Sequence, residues 1–585
     1  MRILSNNKFY STLACIVLSL VFIQQRLTYP GINSEHELRI TTWDAFGYYL
    51  YLPGTFIYAD LDKLQWLDKI DSVYHVTGGN RVQLQKLENG NYVGKYFVGV
   101  SILQLPYFLV GHLIASNSMY KPDGFSAPYQ WSLSLGMLFF CLLSFFILRN
   151  VLLRYFADMD VAISLLLLTL ASNAIQYLAL ENAMSHAPLF AIYVFVLYTT
   201  VKWHEKPRVI WAALTGYLIG IASICRPTDA IIVLIPILWN THNKASSSEK
   251  WALVKSYQKH AYIAMGFGLL GILPQLIYWQ HVTGFFIYDV GSAWDFLTPH
   301  FRVLFGWEKG WFIYTPVTIL FMAGLFFIGK FPFRKAVIAF CLINIYIVIS
   351  WRDWKYGGGY STRALVQSYP IFALGLTALI TEIRRRKWTI PLLVLSVYFI
   401  YVNLFQVYQY FNTYLHYYDM NRMYYSQIYL KRLPTPLDCS LLDTEDWISD
   451  ESDFVKDDSV FSKNPIEMQG DMYSLFPIFE LGLNRGQHAA VGVDGYLKIT
   501  CDIHTDYGLD NSYLVFSLHE GDSVLQKNIR LFSPISANGY TNSYASYVGV
   551  PNYFAGGVFR VTVKPGGTYK GILEKISVTR FSKFP

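Results

Sequence analysis

Apolar runs occupy most of the first ~410 residues of this chain, at a length that only a lipid environment explains. They fall at about 9–23, 131–150, 161–180, 187–203, 209–225, 230–240, 260–279, 311–329, 336–351, 364–382 and 388–411. A hydrocarbon core of about 30 Å takes roughly 20 apolar residues as a helix. Lipid offers no water to backbone N–H and C=O groups, so a spanning segment satisfies them internally. Charged residues make up only 15% of the chain and hydrophobic ones 53%, against about 25% charged in a soluble domain. The class is a polytopic α-helical membrane protein. The net charge of +7 reads as basic loops beside the membrane, not as a nucleic-acid groove.

Charge also orients the spans. One apolar run, 97–116, holds Pro106, Gly111 and His112. If it lies along the outer face as an interfacial helix, about eleven spans remain, with the N-terminus inside. The loops holding Arg149/Arg154, Lys202/Lys206/Arg208, Lys244/Lys250/Lys255/Lys259, Lys330/Arg334/Lys335 and Arg384/Arg385/Arg386/Lys387 then all fall inside. If it spans, they all fall outside, against the positive-inside rule. The expected arrangement is therefore a transmembrane domain over 1–411, with 24–130 as a large outer loop. The run 9–23 has no small-x-small cleavage site after it and reads as a retained first span. The 230–240 run is short and reads as a partial helix facing a cavity.

Beyond the spans the composition turns polar. Residues 412–484 read as a linker or irregular subdomain. Residues 485–585 show short alternating runs between Gly, Asn, Asp and Pro turns, the pattern of a periplasmic β-sandwich-like domain. Cys439 and Cys501 lie in this polar part and are able to pair there if it is periplasmic. No C-x-x-C or H-E-x-x-H metal signature occurs, so no cofactor is expected and a divalent metal is not indicated.

The outer loops hold the unusual residues. The first contains Thr41-Thr42-Trp43-Asp44-Ala45-Phe46-Gly47-Tyr48-Tyr49. A carboxylate there suits removal of a hydroxyl proton, and Tyr48 and Tyr49 suit stacking on a sugar. An aromatic interfacial belt with an incidental Asp is the plainer alternative. Lys95 precedes the interfacial run, where a snorkelling Lys offers a point charge to a phosphate. Glu181 and His186 sit on a tight turn, as site groups or as solvated helix ends. Arg226 stands at membrane depth, which is costly and marks function; an internal pair with Asp229 is the alternative. The last outer loop reads Trp351-Arg352-Asp353-Trp354-Lys355-Tyr356-Gly357-Gly358-Gly359-Tyr360-Ser361-Thr362-Arg363. Its glycines fit either close backbone approach to a ligand, with Trp351, Tyr356 and Gly358 lining it, or a flexible interfacial loop.

The order of these motifs over about residues 1–410 resembles the GT-C superfamily of membrane glycosyltransferases. It is most similar to the bacterial branch related to protein O-mannosyltransferases and lipid A aminoarabinose transferases. Many relatives carry Asp-Glu where this chain has Asp44-Ala45. The resemblance implies a polyprenyl-phosphate sugar donor, a glycan, lipid or protein acceptor, an inverting mechanism and Asp44 as the base. Lys95, Arg226 and Arg363 would then hold the donor phosphate. The expected location is the bacterial inner membrane, with the site and the C-terminal domain on the periplasmic side. The rival reading is a transporter or flippase of lipid-linked glycans; such proteins favour internal repeats and mid-bilayer charge, and no repeat stands out here.

Overall fold

The computed structural model describes residues 8–28, 38–462, 464–483, 493–554 and 556–583. Two compact units divide the chain, Met1–Val407 and Tyr408–Pro585.

The first unit is helical. Among the described residues six helices are long and apolar enough to cross a membrane: Phe9–Thr28, Gly99–Ser116, Ala127–Leu152, Gln258–Thr283, Arg363–Arg385 and Thr389–Phe411. Gly99–Ser116 is the run that the charge argument lays along the outer face; its length and composition also admit a crossing. Several expected spans are broken. The 161–180 run becomes a helix over Asp158–Leu170 and a separate π-turn over Gln176–Leu180, interrupted at Ser172 and Asn173, whose side chains compete with the backbone. The 230–240 run is a 3-10 turn, Pro227–Val233, continued by Leu234–Leu238. Pro316 cuts the 311–329 run into Trp311–Tyr314 and Thr318–Gly324, because a proline has no N–H to give to the ladder.

Helices Val209–Cys225 and Gln258–Thr283 meet through glycines. A Cβ at Gly216 would collide with the Ala264 carbonyl, and one at Gly220 with that of Gly268. Small residues bring the backbones together where lipid gives no hydrophobic drive for association. The start of helix Gly99–Ser116 is set just as closely: a Cβ at Gly99 would stand 2.5 Å from the Cys225 nitrogen. That approach sets the start of the helix, which Lys95 and Tyr96 just precede, against the Cys225 end of its neighbour. Two short strands, β1 (Leu84–Lys86) and β2 (Tyr92–Gly94), pair antiparallel and deliver this segment.

The second unit is mostly sheet. Its strands are β3 (Phe454–Ser462), β4 (Ile466–Gly470), β5 (Phe476–Gly482), β6 (Val493–Tyr507), β7 (Tyr513–Glu520), β8 (Ser523–Arg530), β9 (Tyr540–Pro551), β10 (Val558–Lys564) and β11 (Tyr569–Lys583). One sheet runs β5-β10-β7-β8; the other runs β3-β11-β6-β9, with β4 also on β11. All pairings are antiparallel. Leu497, Ile499 and Ile503 of one sheet share a core with Phe516, Phe559 and Val561 of the other. The sheets start earlier than the sequence suggests. The expected boundary at 485 lies outside the described residues, but β3, β4 and β5 precede it and pair with β11 and β10. They were hidden as strands because they sit at sheet edges and carry charges such as Lys456, Glu467 and Glu480 among their apolar positions. Residues 412–453 hold only short helices, Arg422–Ile428 and Pro436–Ser440. Cys439 and Cys501 are both buried and free, so the disulfide that the sequence permits is not formed.

Candidate active site

The helical unit encloses a cavity of about 660 Å³. Its wall takes in Asp44, Tyr48, Lys95, Tyr96, His186, Arg226, Trp351, Tyr356 and Arg363. Residues more than 300 positions apart in the chain therefore share one space.

Asp44 opens the short helix Asp44–Tyr49. Its Oδ2 accepts from Arg363 Nη2 at 2.5 Å and its Oδ1 from the Tyr96 hydroxyl at 2.6 Å. Gly47 makes the second bond possible, because any Cβ there would overlap the Tyr96 ring. Burial pushes the Asp44 carboxyl up, but the Arg363 charge and the Tyr96 hydroxyl outweigh it and hold it below the usual carboxylate range. Asp44 is thus an anion at neutral pH, held on both oxygens.

Arg363 is delivered by the glycine stretch of the last loop, which is firmly pinned. Tyr356 and Gly357 both adopt positive φ, 54° and 64°. Lys309 Nζ donates to the Gly357 carbonyl and, at 3.0 Å, to that of Lys355. The Tyr360 N–H donates to the Tyr177 hydroxyl at 2.7 Å, Ser361 pairs with Thr315 at 2.7 Å, and Thr362 donates to the Val303 carbonyl at 2.7 Å. These contacts hold the loop at both ends of its glycine stretch. On its far side Trp351 bridges Trp294 as an isolated antiparallel pair, and the Trp351 and Tyr356 rings lie 4.4 Å apart.

At another part of the wall stand Arg226 and His186. His186 Nδ1 lies 3.1 Å from Gln367 Oε1. Asp229 accepts from the Tyr193 hydroxyl at 2.5 Å. Arg226 Nη1 is buried with no hydrogen-bond partner among the described residues.

Three residues expected at the site stand elsewhere. Tyr49 is fully buried and donates to the Gly124 carbonyl, with its ring packed on Phe108 and Phe125; the next residue of a helix points about 100° away from its neighbour, so Tyr48 faces the cavity and Tyr49 the core. Glu181 does not line the cavity and accepts from Gln176 Nε2 at 2.9 Å; burial raises its carboxyl above the usual value. Gly357 lines the cavity in place of Gly358, because the chain turns there. Arg363 lines the cavity, but one of its nitrogens is committed to Asp44, which alters its expected role as a phosphate ligand. Tyr96, Gln367 and Asn344 line the cavity without having been singled out. Asn344 had a signal in the sequence: a lone amide inside the apolar run 336–351.

Among the described residues no group of three or more His, Cys, Asp or Glu is placed to hold a metal ion.

No family model matches the chain, and no curated protein matches it. Solved structures do. ArnT from Cupriavidus metallidurans in the apo state is similar at 14% identity, with a TM-score of 0.37, over 64% of this chain and 62% of that one. The oligosaccharyltransferase AglB from Archaeoglobus fulgidus, solved with an inhibitory peptide and a dolichol-phosphate, is similar at 12% identity, with a TM-score of 0.41, over 76% and 61%. The apo form of the Archaeoglobus fulgidus oligosaccharyltransferase gives 12% identity and a TM-score of 0.40, over 76% and 62%. The chain spans about three fifths of the length of each structure it matches.

Proposed function

We propose that this protein is an inverting glycosyltransferase that takes a sugar from a polyprenyl-phosphate donor at the non-cytoplasmic face of the membrane. The observation that carries this reading is the juxtaposition inside one cavity of an ionised carboxylate, Asp44, and a cation, Arg226, with a buried and unpartnered donor nitrogen. The first suits an acceptor hydroxyl and the second an anionic leaving group.

In this mechanism the acceptor oxygen attacks the anomeric carbon from the face opposite the phosphate. The new C–O bond forms as the bond to the phosphate oxygen breaks, and the configuration inverts. Asp44 Oδ1 or Oδ2 takes the hydroxyl proton. The leaving lipid phosphate departs as a stable anion and needs no general acid. Arg226 and Lys95 offset the charge that grows on it. Arg363 keeps the Asp44 carboxylate ionised and aimed. The sugar is a hexose or pentose, and the acceptor a glycan, lipid or protein. The host is the bacterial inner membrane, with the N-terminus cytoplasmic and the C-terminal domain periplasmic.

The test places the protein in a bilayer with lipid-phosphate sugar supplied only in the outer leaflet, together with acceptor. Sugar transfer without lipid translocation supports the reading. Asp44→Asn lowers that transfer by roughly 10²–10⁴-fold while donor lipid still binds. Movement of lipid between leaflets with no glycosylated product overturns the reading in favour of a flippase.

A further inference from the structure

Helix Arg334–Ile349 is apolar beyond its first turn except at Asn344 and the Tyr346 hydroxyl. Asn344 is 5% exposed and lines the cavity, and its Nδ2 is buried without a hydrogen-bond partner among the described residues. The helix packs against the Pro227–Val233 turn and the Arg363–Ser368 turn. Those turns carry Pro227, Thr228 and Gln367 into the same wall, with Arg226 immediately before the first. Arg226 Nη1 is orphaned as Asn344 Nδ2 is.

Native proteins seldom leave a buried polar nitrogen unpaired, and the exceptions call for an explanation. An amide placed in an apolar helix without a partner does nothing for the fold; a Leu of similar size would serve the packing better. The two orphaned groups are both donors, and the residues that carry them line one void. Such a void is matched by a ligand rich in acceptor oxygens. The guanidinium favours a charged oxygen, while the neutral amide accepts either a charged or an uncharged one.

We propose that Asn344 is a donor-recognition residue, its side-chain amide donating to an oxygen of the phosphate–sugar head group that Arg226 holds. This rests on the glycosyltransferase reading and extends it to a residue outside the loops. Two oxygens qualify, a phosphoryl oxygen and a sugar hydroxyl, and they are separable by experiment.

The test uses the full-length protein in detergent and three measurements on Asn344→Leu: the thermal midpoint without ligand, binding of polyprenyl phosphate, and binding of a polyprenyl-phosphate hexose. The midpoint without ligand is expected to hold or rise, because an unsatisfied amide has been removed. Affinity is expected to fall by roughly five- to thirtyfold. If the partner is a phosphoryl oxygen, both lipids weaken alike; if it is a sugar hydroxyl, only the hexose-bearing lipid weakens. Wild-type affinity for both lipids in the variant overturns the proposal. So does a lowered midpoint with affinity intact, which marks Asn344 as structural. Should the Leu variant not fold, the near-isosteric Asn344→Asp replaces the donor by a carboxylate and is expected to abolish binding of the bare lipid phosphate; retained binding overturns the proposal. A wild-type protein that binds neither lipid overturns the glycosyltransferase reading itself, a result distinct from a variant that behaves like wild type.

Discussion

Arg363 and Asp44, 319 residues apart, meet at 2.5 Å through Nη2 and Oδ2. Their side chains are only 12% and 28% exposed, so neither charge has much water to fall back on. Breaking such a pair leaves an uncompensated charge behind. Arg363→Met is therefore expected to cost activity mainly through Asp44, whose carboxyl then rises towards the protonated form. The double variant Asp44→Asn/Arg363→Met should be no slower than Asp44→Asn alone, because residues acting as a unit are non-additive. Transfer rates for the four forms of this cycle measure it; additive losses would separate the two roles.

Tyr96→Phe removes one of the two hydrogen bonds to the ionised carboxylate. A bond to the charged form lowers a pKa, so its loss raises that of Asp44. The acidic limb of kcat/KM is expected to move to higher pH, with a drop of roughly two- to tenfold at the plateau. A profile with an unshifted acidic limb would remove Asp44 from the base role or Tyr96 from its support.

Lys309 predicts a pH dependence of stability. Burial, reinforced by the Arg363 and Lys355 charges, lowers its amine to about 7. Between about pH 7 and the ordinary lysine value, 10.5, the unfolded chain holds a proton that the folded one lacks. Stability from this group therefore rises with pH across that window and is flat below it. Lys309→Met should lose the rise, as read from thermal midpoints taken from about pH 7 upward across this window.

Helix contact through glycines predicts a sharp contrast along one pair of helices. Gly220→Val drives a side chain into the Gly268 backbone and should cost about 1–3 kcal/mol. Gly266→Ala, where a Cβ meets nothing within 4 Å, should be neutral or stabilise by about 0.5–1 kcal/mol. Thermal unfolding of the two variants decides it; equal effects would dissolve the packing argument.

Much of the site was legible because its chemistry is rare in lipid. Lys95, Arg226 and Arg363 stand out as charges at the ends of apolar runs and Asp44 as a carboxylate in an aromatic stretch, and all four line the cavity. What could not be read was direction. Tyr48 and Tyr49 are identical neighbours in sequence, and only the helix phase separates the one in the cavity from the one in the core. The sequence does not show that Arg363 pairs with Asp44, because the two lie in different loops. The fold was legible as apolar runs but not as whole helices, since Ser172, Asn173 and Pro316 act locally within stretches whose average hydropathy stays high. Strands β3 to β5 escaped notice because edge positions tolerate the charges that blur an alternating pattern.

The pairing of β3 and β4 with β11 bears on how the C-terminal unit is made. Phe454 of β3 faces Lys583 of β11, so the earliest strand of this unit waits for the latest one described. During synthesis β3 and β4 emerge with no partner in this sheet, and β6 gains β9 on one edge only, so these edges stay open until β11 arrives. Pairings of such long sequence separation form slowly, and unpaired strands are exposed to misassociation while they wait. The nascent chain would therefore have its membrane helices made well before this sheet closes, and any factor that shields open strand edges would act in that interval.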